Sequence, residues 1–321
     1  MAKKIDVVIP MYNRADFVGN IISELEKQTF KDFRAIFVDD GSKDNTCELL
    51  ETQLADASFE YLIIKKENGG AGSARNAGFR AAQAEWIACV DSDDGLMPEF
   101  LEYLYTAVRD TNSDLGICHL KMIPEGEKKD LEPVGPLECK QITSAQAMKI
   151  YCTNWIGPVC FLIKREIQLR DNLYYDEDCI YNEDAAFLPD VIVAADTVAY
   201  IEQELYLYYL HGGSLHRSPR PDKFISAVNS FSQTEKRLMN SPKEAAKVFN
   251  SMGRVRFYIA TLRRAAVQIG YRDFCNLERQ INFKSYKNQI KNLTLSQKMA
   301  CYALLISKPM FCALMKLLFK D

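Results

Sequence analysis

Histidine and tryptophan are scarce in this chain, with three and two copies among 321 residues. No C-x-x-C occurs, and no Cys/His spacing fits a zinc site, which removes a zinc-built module. No window reaches the run of about eighteen apolar residues that a membrane-spanning helix needs. The apolar stretch behind the basic start, MAKKIDVVIP, is too short for a signal peptide. Excess positive charge is missing as well: the formal net charge is −3, so no basic field is present and no nucleic-acid partner is expected. No G-x-G-x-x-G follows the first strand pattern, which argues against a dinucleotide-dependent dehydrogenase. No G-x-G-x-R stands there either, as a nucleotidyltransferase of similar sheet topology would carry. There is no internal repeat.

What is present is an ordinary globular mixture, 48% hydrophobic and 26% charged, long enough for one domain and an appendage. Several of the ten cysteines sit inside apolar runs, where cysteine acts as a small hydrophobe. That usage predicts a reducing, cytoplasmic setting.

Short apolar runs at Ile5–Pro10, Phe33–Asp39, Tyr61–Lys65, Trp86–Asp91 and Asp114–Cys118 read as buried parallel strands. Helical patterns lie between them. Phe17, Ile21, Ile22 and Leu25 share a helical face. Asn45 and Glu48 read as a cap with its reciprocal acid, Ser73–Ala84 as a helix, and Pro98 as a first helical position. The alternation predicts a mostly parallel, doubly wound α/β sheet with helices on both faces. Residues 119–150 lose this rhythm, and Pro124–Lys140 reads as a long exposed connection. Apolar runs at Val159–Ile163, Val191–Val193 and Val198–Tyr200 predict strands and loops that complete a site from its other side. From Asp222 onward the pattern is mainly helical and more basic.

The chemistry concentrates at strand ends. The first strand ends in IPMYNR and the second in VDDGSKD; NGGAGSARNAGF (Asn68–Phe79), VDSDD (Val90–Asp94) and NEDAAF (Asn182–Phe187) follow. VDSDD packs Asp91, Asp93 and Asp94 where a parallel strand opens onto a crevice. Such carboxylates repel unless a cation neutralises them, and Mg²⁺ commonly bridges one or two carboxylates to substrate phosphates. Helix-start acidity is the plainer alternative. Ligands of open α/β sheets bind beyond the carboxyl ends of the strands, where Pro10, Asp40 and Asp93 would all fall.

In these motifs the chain resembles the family 2 glycosyltransferases, GT-A-fold enzymes that use nucleotide-diphospho-sugars. The likeness covers about residues 4–217, read as one glycosyltransferase unit. Residues 1–118 form its nucleotide-sugar half and 119–217 its acceptor half, and 218–321 form a helical extension. The resemblance implies that Pro10, Tyr12 and Arg14 line the nucleotide pocket and that Asp40 bonds the uracil edge. It implies that the turn Asn68–Gly70 lets backbone approach the ligand, and that Arg75 reaches diphosphate or ribose. Asp39 reads as structural, Asp94 is less placed, and Gly78 reads as close helix–sheet packing. By the same likeness Asp93 is the direct ligand of a Mn²⁺ or Mg²⁺ ion, while Asp91 contacts ribose or reaches the metal through water. Asp184 matches the family's base, Glu183 helps position the acceptor, and a single displacement implies inversion. The segment Tyr206–Arg217 resembles the one after the family's last catalytic strand. Its His211 is offered either as a metal ligand or as an ordinary polar contact. His216 and Arg217 are offered to the diphosphate beneath a Gly212–Gly213–Ser214 lid. Trp155 either floors the acceptor sugar or packs as a core aromatic. Q-x-x-R-W is absent, which argues against a processive synthase. The implied partners are a UDP-sugar donor and a glycan or lipid-linked saccharide acceptor. A subunit that binds the nucleotide-sugar without turning it over is the non-enzymatic alternative, and Asp93 with Asp184 argues against it.

The stretch 298–320 is apolar, dotted with lysines and broken by Pro309. Two short helices lying on the inner face of the cell membrane, a docked helical hairpin, or a homodimer through the C-terminal helices all suit it.

Overall fold

The computed structural model describes residues 3–124, 134–153, 159–210 and 219–319. In chain order the first elements are β1 (Ile5–Met11), α1 (Val18–Glu26), β2 (Phe33–Asp39), α2 (Thr46–Gln53), β3 (Glu60–Lys65) and α3 (Gly70–Ala81). Next come β4 (Trp86–Cys89), β5 (Gly95–Leu96), α4 (Phe100–Asp110), β6 (Leu115–Ile123), β7 (Cys139–Thr143) and α5 (Ser144–Thr153). They are followed by β8 (Phe161–Lys164), α6 (Arg165–Arg170), α7 (Glu183–Ala194) and β9 (Thr197–Tyr209). The rest is helical: α8 (Pro221–Met239), α9 (Glu244–Val248), α10 (Arg254–Gln268), α11 (Tyr271–Ile281), α12 (Leu295–Ile306) and α13 (Lys308–Leu318).

One nine-stranded sheet runs β3-β2-β1-β4-β8-β6-β9-β5, with β7 also paired to β9. β1 pairs in parallel with β2 and β4, β2 with β3, and β6 with β9, while β8, β5 and β7 run antiparallel to their neighbours. The expected mixed α/β architecture is therefore what forms. The central strands β1 and β2 are mainly apolar because both faces are covered. Along β1, Val7 and Ile9 enter one core with α1, α2 and α4, while Val8 enters the other with α3, α5 and α7. Residues 35 to 38 of β2 alternate in the same way. This two-sided burial turns a period-2 pattern into an unbroken apolar run.

Gly78 sits where α3 crosses β1. A Cβ there would come within 2.3 Å of Val8 Cγ1, so the contact is helix–sheet packing as expected. Beneath the sheet, buried Asp6 takes a two-pronged bond from Arg34 at 2.8 and 3.0 Å and accepts the amides of Gln83 and Ala84. It pins the turn that leads into β4.

Several local expectations need correction. The Asn45 side chain caps nothing; Asp44 instead accepts the Thr46 amide at 3.1 Å. The third helix starts at Gly70 and ends at Ala81. Pro98 lies ahead of α4, and its carbonyl accepts the Thr29 amide. The strand from Leu115 continues to Ile123, so residue 118 falls inside it. Val191–Val193 lies in α7, because a short apolar run buried on every side suits a helix as well as a strand.

Helices α12 and α13 form a hairpin against α10. Cys301, Leu304, Phe311 and Met315 are buried on its inner side. Among the described residues no helix is long and apolar enough to cross a membrane.

Candidate active site

The parallel strands β3-β2-β1-β4 deliver their C-terminal loops to one edge. The chain winds outward from β1 to β3 and then returns to β4 on the far side of β1. The change of direction leaves a crevice between the β1 and β4 loops. Into it come residues 12–16, 40–45, 66–69 and 90–94.

The β1 and β2 loops are stitched together. Asn13, in the left-handed conformation (φ 51°), receives Lys43 N–H on Oδ1 at 2.8 Å and donates its own amide to Ser42 Oγ at 2.9 Å. Arg14 N–H bonds Thr46 Oγ1, which aims the Arg14 side chain at Asp93, Nη2 to Oδ2 2.9 Å. Pro10 closes this strand end half-buried, and Tyr12 stands 40% exposed beside it, open for a planar ligand.

Asp40 is buried and heavily engaged. Its carboxylate accepts Lys66 Nζ at 2.6 Å and the amides of Gly69 and Gly70 at 3.0 and 2.7 Å. Asn68 Nδ2 bonds its carbonyl. Gly70 has φ +87°, a conformation glycine adopts freely, and this lets two consecutive amides face one carboxylate. Asp39 holds the turn through Ser42 N–H.

Arg75 is the hinge of the site. It lies 4% exposed on α3, with Nη2 2.7 Å from Asp91 Oδ1 and Nη1 2.6 Å from Glu183 Oε1. Its guanidinium also lies over the Tyr175 ring, 5.2 Å from the centroid. Burial works against its charge, yet Asp91 and Glu183 outweigh that and hold it well above its ordinary value. Asn76, next along α3, clamps the Tyr175 backbone from both sides at 2.9 and 2.8 Å.

The D-x-D loop is held from behind by β9. Asp91 N–H donates to the Tyr206 hydroxyl at 3.1 Å, and that hydroxyl donates to Asp94 Oδ2 at 2.8 Å. Tyr209 N–H takes the other Asp94 oxygen at 3.2 Å. Asp94 is thus an anchor facing inward, while Asp91 and Asp93 remain partly exposed. Burial, and then the charges of Asp91 and Asp93, push Asp94 well above the carboxylate range.

Asn182, at φ 57°, turns the chain into α7 and presents Glu183 and Asp184 in its first turn. Burial first, then the Glu183 charge, raises Asp184 to about 7, with the charge of Asp91 adding to it. Burial first, then the charges of Asp94, Asp91, Asp93 and Asp184, push the Tyr208 hydroxyl up.

Among the described residues no group of three or more His, Cys, Asp or Glu side chains could by itself hold a metal ion. Asp91 and Asp93, each paired through one oxygen with Arg75 and Arg14 respectively, offer two hard oxygen donors, fewer than a divalent ion needs without water and phosphate. Trp155, His211, Gly212, Gly213, Ser214, His216 and Arg217 lie outside the described residues.

Ion pairs thus join Arg14 to Asp93 and Arg75 to both Asp91 and Glu183, Asp184 follows Glu183 in the first turn of α7, and Asp40 stands just past the end of β2. Tyr206 and Asn76 carry no assigned role in the sequence, although both stand inside segments it singles out.

A family model, "Glycosyl transferase family 2", matches residues 6–166, half of the chain, and the chain belongs to that family. Glycosyltransferase GlyG of Streptococcus pneumoniae serotype 4 is 28% identical over 228 residues, covering 68% of this chain and 74% of that protein. The uncharacterized glycosyltransferase EpsJ of Bacillus subtilis is 29% identical over 225 residues, but the match spans only 64% of EpsJ. In fold, the structure of Staphylococcus aureus TarS 1–349 in complex with UDP-GlcNAc superposes with a TM-score of 0.64 at 17% identity, over 94% of this chain and 91% of that one. A mannosyltransferase of Pyrobaculum calidifontis in complex with GDP-Man and Mn²⁺ superposes at 0.58 with 13% identity, over 99% of this chain and 88% of that one.

Proposed function

We propose that this family 2 enzyme moves a hexose or N-acetylhexosamine from a UDP-sugar to a hydroxyl of a glycan acceptor, free or lipid-linked, with inversion at the anomeric carbon. The observation that carries this reading is the Arg75 bridge. One buried guanidinium joins Asp91 of the D-x-D loop to Glu183, the neighbour of Asp184. Donor side and acceptor side are thereby tied to a common lip.

In this reading Asp184 is the base. It takes the acceptor's proton as the acceptor oxygen bonds to C1 and the bond from C1 to the UDP oxygen breaks. Its value of about 7 matches a base working near neutral pH. Glu183, fixed by Arg75, positions the acceptor. Pro10, Tyr12, Arg14, Asp40, Asn68 and Arg75 serve the nucleotide, and His216 and Arg217 are assigned to it as well. Asp93 and Asp91, with His211, would hold Mn²⁺ or Mg²⁺. When bound, that ion supplies charge compensation for the departing UDP. The UDP-GlcNAc complex of TarS and the name of that S. aureus protein, a poly(ribitol-phosphate) β-N-acetylglucosaminyltransferase, support the donor and a polymeric acceptor.

The test is donor turnover with Mn²⁺ in wild type and Asp184→Asn. Loss of a positioned base costs about a hundredfold to ten-thousandfold in rate, while the thermal shift given by UDP should persist. A wild type that binds UDP yet turns over no sugar donor points instead to a binding subunit. Among nucleotides, UDP with Mn²⁺ should give the largest shift and GDP little.

A further inference from the structure

We infer that the outer face of the α12–α13 hairpin docks on an anionic lipid bilayer surface. Each helix has two apolar sides. One packs inward on α10. The opposite side has no covering among the described residues: Leu295, Met299, Tyr302 and Ile306 fall along one line of α12, with Leu295 at 75% and Ile306 at 74% exposure. Leu314 and Leu317 continue the surface on α13, Leu317 at 69%. Scattered exposed apolar residues are normal, but two adjoining helices that both turn such a line outward form a patch.

Charge decides between the candidate occupants. Residues 279–320 contain Arg279 and seven lysines and no aspartate or glutamate, in a chain whose net charge is −3. Of these, Lys284, Lys287, Lys291 and Lys316 are exposed. Lys308 instead pairs with Glu278 and locks the hairpin to α11. A second copy would bring the same positive surface against itself. Anionic headgroups meet the lysines while the apolar line enters the acyl boundary, the arrangement of interfacial amphipathic helices.

The placement also bears on the reaction. α10, on which the hairpin packs, sends Arg264 to the Tyr181 hydroxyl at 3.0 Å, immediately before Asn182, Glu183 and Asp184. The docked hairpin and the acceptor side are thus two faces of one helical layer, as an acceptor carried on a lipid requires. That last point rests on the proposed function; the docking itself does not.

The full chain is tested by co-sedimentation with vesicles of phosphatidylcholine alone and of phosphatidylcholine with phosphatidylglycerol. Wild type is expected to partition at least about tenfold better onto the anionic vesicles, and less so as salt is raised. Ile306→Ser with Leu317→Ser should lower that partition by about tenfold or more, and Lys291→Glu with Lys316→Glu should abolish the preference for anionic lipid. Donor hydrolysis in solution should be unchanged in both variants, which separates failure of docking from failure of the catalytic reading. Equal binding to both vesicle types, or none, overturns the proposal. So does a wild-type dimer that Ile306→Ser with Leu317→Ser turns into a monomer, since the patch then covers a second copy.

Discussion

Arg75 shows how one side chain can decide a site. Two carboxylates from distant parts of the sequence, Asp91 and Glu183, converge on it, and its planar fork serves both at once. A lysine keeps the charge but has a single ammonium, so it cannot span the pair. Arg75→Lys and Arg75→Ala should each cost about 1–3 kcal/mol in denaturant unfolding, because two half-buried carboxylates lose a shared hydrogen-bond donor. An unchanged Arg75→Lys would mean that the bridge is incidental. Asp184 carries a pH signature. Its native value lies above its unfolded one, so its contribution to stability is complete in acid and is lost as pH rises through about 7. Asp184→Asn should therefore raise the melting temperature more at pH 8 than at pH 4. Turnover should follow the opposite slope, falling below pH 7 as the base takes up its proton. The acids stand out in the sequence only beside the family motifs, since carboxylates at strand ends and helix starts suit helix capping equally well. Their partners do not stand out at all. Tyr206 lies more than a hundred residues from the loop it holds, and no periodicity announces a hydroxyl placed between an amide and a carboxylate.

At the scale of elements, β1 and β2 are readable nearly to the residue because burial on two faces leaves an apolar run, whereas β5, β7 and most of β9 are not. The end of helix α7 reads as a strand in the sequence. The helix contains Pro189, which lacks the N–H that would bond the Ala185 carbonyl. That carbonyl instead accepts the Tyr151 hydroxyl of α5 at 2.9 Å, and the next one along, of Ala186, accepts Thr234 Oγ1 of α8 at 2.9 Å. Tertiary partners complete a helix that local propensity would interrupt. Tyr151→Phe should cost about 1–3 kcal/mol by stranding the carbonyl. Adding Pro189→Ala should recover part of that loss, since the amide returns; an additive double-mutant cycle would show the two groups to be uncoupled. Gly78→Ala, which drives a methyl into Val8, should destabilise by about 1–3 kcal/mol in the same assay.

Across the whole molecule, the sequence divides more sharply than the structure. Motifs stop near residue 217, yet Phe224, Phe231, Phe249, Phe274 and Phe311 share one continuous core with Val8 and Ile36 of the sheet. Sequence could not reveal this, because an apolar helix face does not name what covers it. A chain cut after residue 217 should aggregate rather than fold, seen as loss of the monomer peak in gel filtration. The unbroken interior has a calorimetric consequence as well. Crevice and tail should melt in a single endotherm that a nucleotide moves as a whole, so a donor held at one end would delay heat release from lipid at the other, although it touches no part of the hairpin.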